Sequence, residues 1–91
     1  MDAAAILKRG GKATYQVVAQ EAILIHMDTG TYYSLNPVGT EFWERLDGAQ
    51  TLGQHAAALA QKYSVDEAMV VGDLLELAEK LQAEDLVELA G

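Results

Sequence analysis

The sequence predicts one α+β domain in which three antiparallel strands are followed by three helices. Within residues 14–19 and 22–27, the side chains fall into two alternating sets, which is the period of a β-strand. Two helix-start signals follow, at Asn36–Pro37 and at Thr51–Gln54. Beyond residue 66 the apolar residues recur at helical spacing. A chain of 91 residues buries about two-thirds of its unfolded surface, which is enough for one core.

The charge balance excludes two classes of partner. The chain carries 14 acidic and 6 basic residues, so its formal net charge is −8. Phosphate backbones and acidic membrane surfaces are bound mainly through Lys and Arg, and the one basic cluster is Lys8, Arg9 and Lys12. We therefore expect neither nucleic acid nor membrane as a partner.

The sequence also predicts the compartment. It contains no cysteine, so it has neither a disulfide framework nor a thiolate nucleophile. Residues 1–10 are too short and too weakly apolar for a signal peptide, and no apolar run approaches the roughly 20 residues that span a bilayer. We expect a soluble cytoplasmic protein.

Three strands are expected, at residues 14–19, 22–27 and 31–35. A three-stranded meander is the simplest arrangement for strands so close in sequence. Residues 1–11 show no sustained periodicity, so we expect a flexible N-terminus before a domain that covers residues 12–91.

The two turns of this meander differ in their sequence signals. The first, at Gln20–Glu21, contains neither glycine nor asparagine. The second contains Gly30, which can take the positive φ that a tight hairpin needs. In the strand that follows, Tyr32 and Tyr33 are adjacent and point to opposite faces, so one of them is available on the outside. The same strand could leave an open sheet edge with which another chain can pair.

The first helix is expected over residues 37–46, with Asn36 as its cap and Gly48 at its end. A chain with one Trp and one Phe usually places them in its only core, and we expect this for Trp43 and Phe42. The alternative is a ligand cage built from the large aromatic residues Tyr32, Tyr33, Phe42, Trp43 and Tyr63.

Two capping boxes predict the starts of the other helices. Thr51–Gln54 opens the second helix, and residues 64–67, Ser-Val-Asp-Glu, are expected to open the third. The third helix runs to about residue 82 in this prediction. Residues 86–89 follow as a last short strand or turn.

The third helix is apolar over more of its circumference than a surface helix needs. At about 100° per residue, its apolar side chains spread over roughly 160°, against about 100° for an ordinary amphipathic helix. In order around the helix they are Leu77, Val70, Leu81, Leu74, Ala78, Val71 and Leu75. Either this helix packs on two sides, or one flank faces a molecule outside the chain.

No motif in the sequence predicts catalysis. His26 and His55 have no cysteine or carboxylate at a recognisable metal-ligand spacing. No serine lies in a nucleophile elbow, and Gly10–Gly11 lacks the Lys-Ser/Thr that completes a phosphate-binding loop. We expect no catalytic residue, no cofactor and no metal.

One set of motifs spans most of the chain, roughly residues 21–89. A strand that ends in Leu-Asn is followed by Gly-x-x-Phe-Trp, by Asp-Gly-x-x-Thr, and by spaced apolar residues. The residues are Leu35, Asn36, Gly39, Phe42, Trp43, Leu46, Asp47, Gly48, Thr51, Leu59, Val65, Asp73, Leu74, Leu77, Leu81 and Leu86. In this combination the sequence resembles the PqqD-like family.

That resemblance implies both a fold and a function. Members are recognition elements for ribosomally made, modified peptides, with three strands and then three helices in a winged helix-turn-helix-like fold. They bind the leader segment of a precursor peptide as a strand added to the third strand, with side chains in a groove beside the third helix. Transferred to this sequence, the peptide-binding residues are Thr31, Tyr32, Tyr33, Ser34, Leu35, Val71, Leu74, Leu75 and Ala78.

Within the family, the run Gly-Thr-Tyr-Tyr-x-Leu-Asn-x-Val-Gly at residues 30–39 is similar to the free-standing recognition proteins of lasso-peptide clusters. This similarity implies a leader peptidase and a cyclase, or another peptide-modifying enzyme, as partners. The alternative is the pyrroloquinoline quinone peptide chaperone, which delivers its precursor to a radical enzyme. One departure is that residues 82–85 read Gln-Ala-Glu-Asp where many members have a glycine.

Three rival functions follow from the same elements. A winged-helix DNA-binding regulator shares the helical layout, but Lys62 and Lys80 are the only basic residues of the second and third helices. An assembly module could dimerise through the open strand edge. An enzyme is the weakest rival, because the sequence offers no nucleophile, metal set or cofactor loop.

Overall fold

A computed structural model describes residues 1–90 of the chain as five strands and three helices. This is the expected α+β class, with a three-stranded antiparallel sheet and three helices. Gly91, the last residue of the domain expected over residues 12–91, lies outside the described residues. In chain order the elements are β1 (Leu7–Arg9), β2 (Ala13–Val18), β3 (Glu21–His26), β4 (Tyr32–Ser34), α1 (Pro37–Arg45), α2 (Leu52–Tyr63), α3 (Glu67–Ala83) and β5 (Val87–Leu89).

Strands β2, β3 and β4 form the predicted antiparallel meander, in that order across the sheet. In its centre, Leu24 lies opposite Tyr15 on one side and Tyr33 on the other. Leu24 is fully buried, whereas Ile23 and Ile25 point to the other face and are exposed. The sheet therefore places one face in the core and leaves the other open.

The turn between β2 and β3 lies one residue earlier than predicted. Ala19 and Gln20 both have positive φ, at 53° and 68°, as in the two-residue hairpin turns whose twist matches that of the strands. The predicted turn at Gln20–Glu21 is wrong, because Glu21 already pairs with Val18 as the first residue of β3. Gly30 has a φ of 74°, as expected.

The N-terminal segment contains a strand that the sequence analysis missed. We expected residues 1–11 to be irregular, but β1 pairs antiparallel with β5, and Leu7 lies opposite Leu89. Leu7 is only 2% exposed, and the Gly10 N–H donates to the Leu86 carbonyl at 2.9 Å. A three-residue strand is too short to show a period in the sequence. The last strand, expected as a strand or a turn, is β5.

The cap of α1 is confirmed, but its end differs from the prediction. Asn36 Oδ1 accepts a hydrogen bond from the Gly39 N–H at 2.7 Å, so Asn36 satisfies one of the free donors of the first turn. The helix ends at Arg45 with Leu46 as an extended cap. Gly48 has a φ of 70° but lies beyond that cap, in the loop, and does not terminate the helix.

One of the two predicted capping boxes is present. Thr51 Oγ1 accepts from the Gln54 N–H at 3.1 Å, and Gln54 Oε1 accepts from the Thr51 N–H at 2.7 Å. The box predicted at residues 64–67 is wrong. Ser64 instead ends α2 in a left-handed conformation, and the cap of α3 is Asp66, whose carboxylate accepts from the Ala68 N–H at 2.9 Å.

The core contains the residues that the sequence analysis placed there. Phe42 and Trp43 are fully buried, which excludes them from a surface ligand cage, and the Trp43 ring packs edge-on against Tyr15 at 5.7 Å. Helix α3 packs against α2 and also contacts α1 and β5, so it is packed on more than one side. Its buried residues are Val70, Leu74, Ala78 and Leu81. No helix within residues 1–90 is both long and apolar enough to cross a membrane.

Candidate peptide-binding groove

A groove of about 570 Å³ lies between the end of the sheet and α3. Strand β4 and the first turn of α1 form one side, α3 forms the other, and the end of α2 closes it. Most of its lining is aliphatic or aromatic. The lining residues are Tyr33, Ser34, Asn36, Val38, Gly39, Leu59, Tyr63, Val65, Met69, Val70, Asp73, Leu74 and Leu77.

Strand β4 borders this groove and is one of the two edge strands of its sheet. Two hydrogen bonds to β3 flank the strand: the His26 N–H donates to the Thr31 carbonyl, and the Leu35 N–H donates to the Ala22 carbonyl, both at 2.8 Å. Because bonding alternates along an antiparallel ladder, the N–H and C=O groups of the even-numbered residues of β4 point to the open edge. Those backbone groups can pair with an added strand.

The two adjacent tyrosines point in different directions. Tyr33 lies opposite Leu24, is half-buried, and lines the groove. Tyr32 lies opposite Ile25 on the outer face of the sheet and is 71% exposed. Of this pair, Tyr33 is therefore the residue that faces the groove.

The floor and wall on α3 come from one flank of its apolar arc and from Met69, which lies outside that arc. Val70 and Leu74 are buried at the base, and Leu77 and Met69 form the wall. An added Cβ at Gly39 would lie 3.3 Å from Leu77 Cδ2, so α1 and α3 approach each other closely at this end of the groove. A larger residue at that position would occupy groove space.

The amino-acid sequence matches the family described as "Coenzyme PQQ synthesis protein D (PqqD)" over residues 21–87. This range contains strands β3 and β4, all three helices and every residue that lines the groove. The chain belongs to the PqqD family.

The fold of this PqqD-family chain is similar to a solved structure of TbiB1 in complex with the TbiA(beta) leader peptide. The two chains share 30% sequence identity, with a TM-score of 0.79. The similarity covers 89% of this chain and 94% of TbiB1. No curated protein matches the sequence.

The structure places the predicted peptide-binding residues of this PqqD-family chain in three different environments. Tyr33, Ser34 and Leu74 line the groove. Thr31 and Tyr32 lie beside or within β4 but do not line the groove. Leu35 is buried in the core. On α3, Val71 and Leu75 are half-buried against the core and Ala78 is fully buried. None of these three residues is in the lining of the groove. The groove uses the opposite flank of the apolar arc.

Several lining residues were not expected from the sequence. The sequence contained a signal for Met69, because it is an apolar residue on the charged side of α3. In the structure its side chain is 57% exposed. Val65, at the turn before α3, is also exposed. The other lining residues outside the prediction are Asn36, Val38, Gly39, Leu59, Tyr63, Val70, Asp73 and Leu77.

Asp73 is the one charged residue in the lining of the groove. Farther along α3, Lys80 Nζ donates to Glu76 Oε1 at 3.2 Å, and this hydrogen bond raises the pKa of Lys80. At the end of α2, Lys62 is paired with Glu41, which likewise raises the pKa of Lys62. Within residues 1–90, Asp73 has no such partner. The groove is thus apolar with one uncompensated negative charge.

The two histidines lie away from the groove. His26 Nδ1 accepts from the N–H groups of Asp28 and Thr29, and its Nε2 is 3.0 Å from Asp85. His55 is buried against Phe42, and burial lowers its pKa. The described residues hold no group of three or more His, Cys, Asp and Glu side chains that could bind a metal.

Proposed function

We propose that this PqqD-family chain binds the leader segment of a ribosomally made precursor peptide without catalysing a reaction on it. The peptide adds to the sheet as a strand beside β4, and its alternate side chains enter the groove against α3. One observation carries the proposal: an open strand edge runs along an apolar groove whose other wall is a helix. Family membership and the similarity to TbiB1 support it.

The energy of such binding divides between backbone and side chains. Tyr32 and Ser34 offer the N–H and C=O groups at the edge, and each ladder hydrogen bond contributes about 1 kcal/mol net. Ordering the peptide opposes this with about 1–2 kcal/mol per residue. These contributions nearly cancel, so side chains buried in the groove, at about 2 kcal/mol each, decide affinity and specificity.

We further propose that the bound leader is presented to a separate enzyme in the cytoplasm, where ribosomal peptides are made. A lasso-peptide leader peptidase and cyclase are the first candidates, because the run at residues 30–39 and the similarity to TbiB1 point the same way. The second candidate is peptide delivery to a radical enzyme in pyrroloquinoline quinone synthesis, which the description of the matching family favours. Titration of the protein with lasso-peptide leaders and with pyrroloquinoline quinone precursor leaders would distinguish these two candidates.

The proposal includes a winged helix-turn-helix-like layout that serves peptide rather than DNA binding. The only basic residues of α2 and α3 are Lys62 and Lys80, and each is paired with a carboxylate, Glu41 and Glu76 respectively. A phosphate backbone would have to displace those pairs. This charge arrangement supports the peptide over the nucleic acid.

The test is fluorescence polarisation of a labelled leader peptide, taken from the precursor gene beside this one, with wild type and matched variants. Met69→Asp places a charge in the groove wall, and we expect affinity to fall about tenfold or more. Met27→Asp is the control, because Met27 is 59% exposed against 57% for Met69 but does not line the groove. Equal binding by both variants would contradict the proposed groove.

A second variant tests the strand edge. Ser34→Pro removes an N–H that points to the open edge, where proline is tolerated, so the domain should fold but bind the peptide about fivefold more weakly. Unchanged affinity of a folded Ser34→Pro protein would rule out pairing at this edge. Sedimentation with and without the peptide addresses dimerisation: a dimer that persists and excludes the peptide would favour an assembly module.

A further inference from the structure

The lining of the groove contains one feature that apolar anchoring does not use. Asp73 lies on α3 one turn after Met69 and one turn before Leu77, and all three side chains line the groove. A buried apolar anchor gains nothing from a carboxylate beside it. The Asp73 side chain is exposed and makes no hydrogen bond or ion pair within residues 1–90.

The lysines of the described chain are already paired with carboxylates. Glu76 is paired with Lys80, and the Asp66 carboxylate is used as the cap of α3. The remaining lysines, Lys8, Lys12 and Lys62, are each paired with an acidic side chain. With a net charge of −8 for the chain, no described lysine is available to neutralise Asp73.

We propose that the peptide bound in the groove carries a Lys or Arg that pairs with Asp73, flanked by apolar anchors. This inference rests on the proposed peptide-binding function and specifies the chemistry of the ligand. In an added strand, side chains of one face recur every second residue, so the basic residue lies two positions from an apolar anchor. The long stem of Lys or Arg lies along the apolar wall while its charged end reaches Asp73.

The expected effect of one such pair is modest but measurable. Exposed ion pairs change affinity by about 1.5- to fivefold. The negative field of the whole domain also accelerates association with a cationic peptide, and this acceleration weakens as salt rises. Salt dependence is therefore a second readout, which a purely apolar anchor would not produce.

The experiment is selection of a phage-displayed library of random dodecapeptides on the immobilised full chain, in parallel with two variants. Asp73→Asn removes the proposed partner. Glu79→Gln removes an exposed charge of the same helix that does not line the groove, so the two variants have the same net charge. Wild type and Glu79→Gln should enrich peptides with a Lys or Arg two positions from an apolar residue, and Asp73→Asn should enrich the apolar residues alone.

Two other results would each overturn the inference in a distinguishable way. Apolar enrichment without a basic residue, or a basic preference that survives in Asp73→Asn, would remove the role of Asp73 and leave peptide binding intact. Absence of any enriched motif with all three proteins would argue against capture of extended peptides altogether.

A peptide from the wild-type selection then gives the affinity measurement. Replacing its basic residue by Gln should weaken binding to wild type about 1.5- to fivefold and leave binding to Asp73→Asn unchanged. The decline of affinity between low and moderate salt should be steeper for wild type than for Asp73→Asn. Equal losses in both proteins would show that the basic residue contacts another group.

Discussion

His26 Nε2 lies 3.0 Å from Asp85 Oδ2, so a buried histidine of β3 contacts an exposed carboxylate of the turn after α3. Because His26 Nδ1 accepts from the Asp28 and Thr29 N–H groups, the proton of the neutral ring is on Nε2 and donates to Asp85. The sheet and the end of α3 are thereby joined across the protein.

We predict that Asp85→Gly lowers the free energy of unfolding by about 1–3 kcal/mol, because the buried Nε2–H loses its acceptor. Glycine is the suitable replacement, since Asp85 has a φ of 59°. Asp85→Asn keeps an acceptor and tolerates this φ, so it should lose less than half as much. Urea denaturation measures both. In a His26→Leu background, Asp85→Gly should have little further effect; an undiminished effect there would assign the loss to the backbone.

A second prediction concerns the pH dependence of stability. Burial lowers the pKa of His55 below its ordinary value of 6.5, and the Asp47 carboxylate at 3.9 Å only partly opposes this. The unfolded chain therefore takes up a proton near pH 6.5 that the folded protein does not. Stability should be constant above that pH and should fall as the pH drops below it, by at most about 1.4 kcal/mol per pH unit.

Denaturant unfolding at pH 7 and pH 5 measures this loss, with His55→Leu as the comparison. The ring nitrogens of His55 have no hydrogen-bond partner, so leucine should retain most of the stability at pH 7 and reduce the decline toward pH 5. Hydrogen bonds from the Gln50 and Ala49 N–H groups hold the pKa of Asp47 below 3.8, outside this range. An identical decline in the variant would mean that another group is responsible.

A third prediction separates binding from stability at Gly39. An alanine Cβ would lie 3.3 Å from both Leu77 Cδ2 and Asn36 Oδ1. The strain at these contacts opposes the gain of about 1 kcal/mol that Ala has over Gly in a helix, so we expect a small net change in stability. The added methyl also occupies the groove, and leader affinity should fall about tenfold. Polarisation and thermal unfolding of Gly39→Ala measure the two effects; Gly72→Ala, whose Cβ meets open space, is the control.

A fourth prediction concerns the β2–β3 turn. Ala19 and Gln20 adopt left-handed conformations, each of which costs a residue with a Cβ about 1–2 kcal/mol. The double substitution Ala19→Asn and Gln20→Gly supplies the residues preferred in this turn type. We expect the free energy of unfolding to rise by about 1–2 kcal/mol. A lower denaturation midpoint would indicate that the side chains replaced make stabilising contacts of their own.

The sequence predicted those elements whose signals are local and chemical. Asn36 and Thr51 cap their helices as expected, because a side-chain oxygen before an apolar period has one strongly favoured use. Phe42 and Trp43 lie in the core because a small chain has no other place for large apolar surface. The meander followed from short segments of β-strand periodicity that lie close together in the sequence.

The features that were missed depend on tertiary contacts. Strand β1 exists only because β5 pairs with it, and neither is long enough to show a period. Asp85 takes the left-handed conformation just before Leu86, in a segment where many family members have glycine, and its contact with His26 accompanies that choice. The sequence shows that the glycine is absent, but it does not show the left-handed turn or the contact with His26.

The groove shows most directly what helical periodicity in a sequence cannot predict. The apolar arc of α3 was predicted correctly, but a period does not reveal which flank the rest of the chain covers. Val71, Leu75 and Leu77 are all partly buried against the core, but of these three Leu77 alone lines the groove. Only the positions of α1 and the sheet decide between the two flanks.

The pairing of β1 with β5 also determines how the domain responds to mechanical load. Leu7 lies opposite Leu89, and the Ala90 N–H donates to the Ile6 carbonyl, so the first residue of β1 and the last residue of β5 lie side by side. A force that pulls these ends apart separates β1 from β5 one residue pair at a time. No residue of β1 or β5 lines the groove, so the residue pairs that such a force separates lie outside the groove.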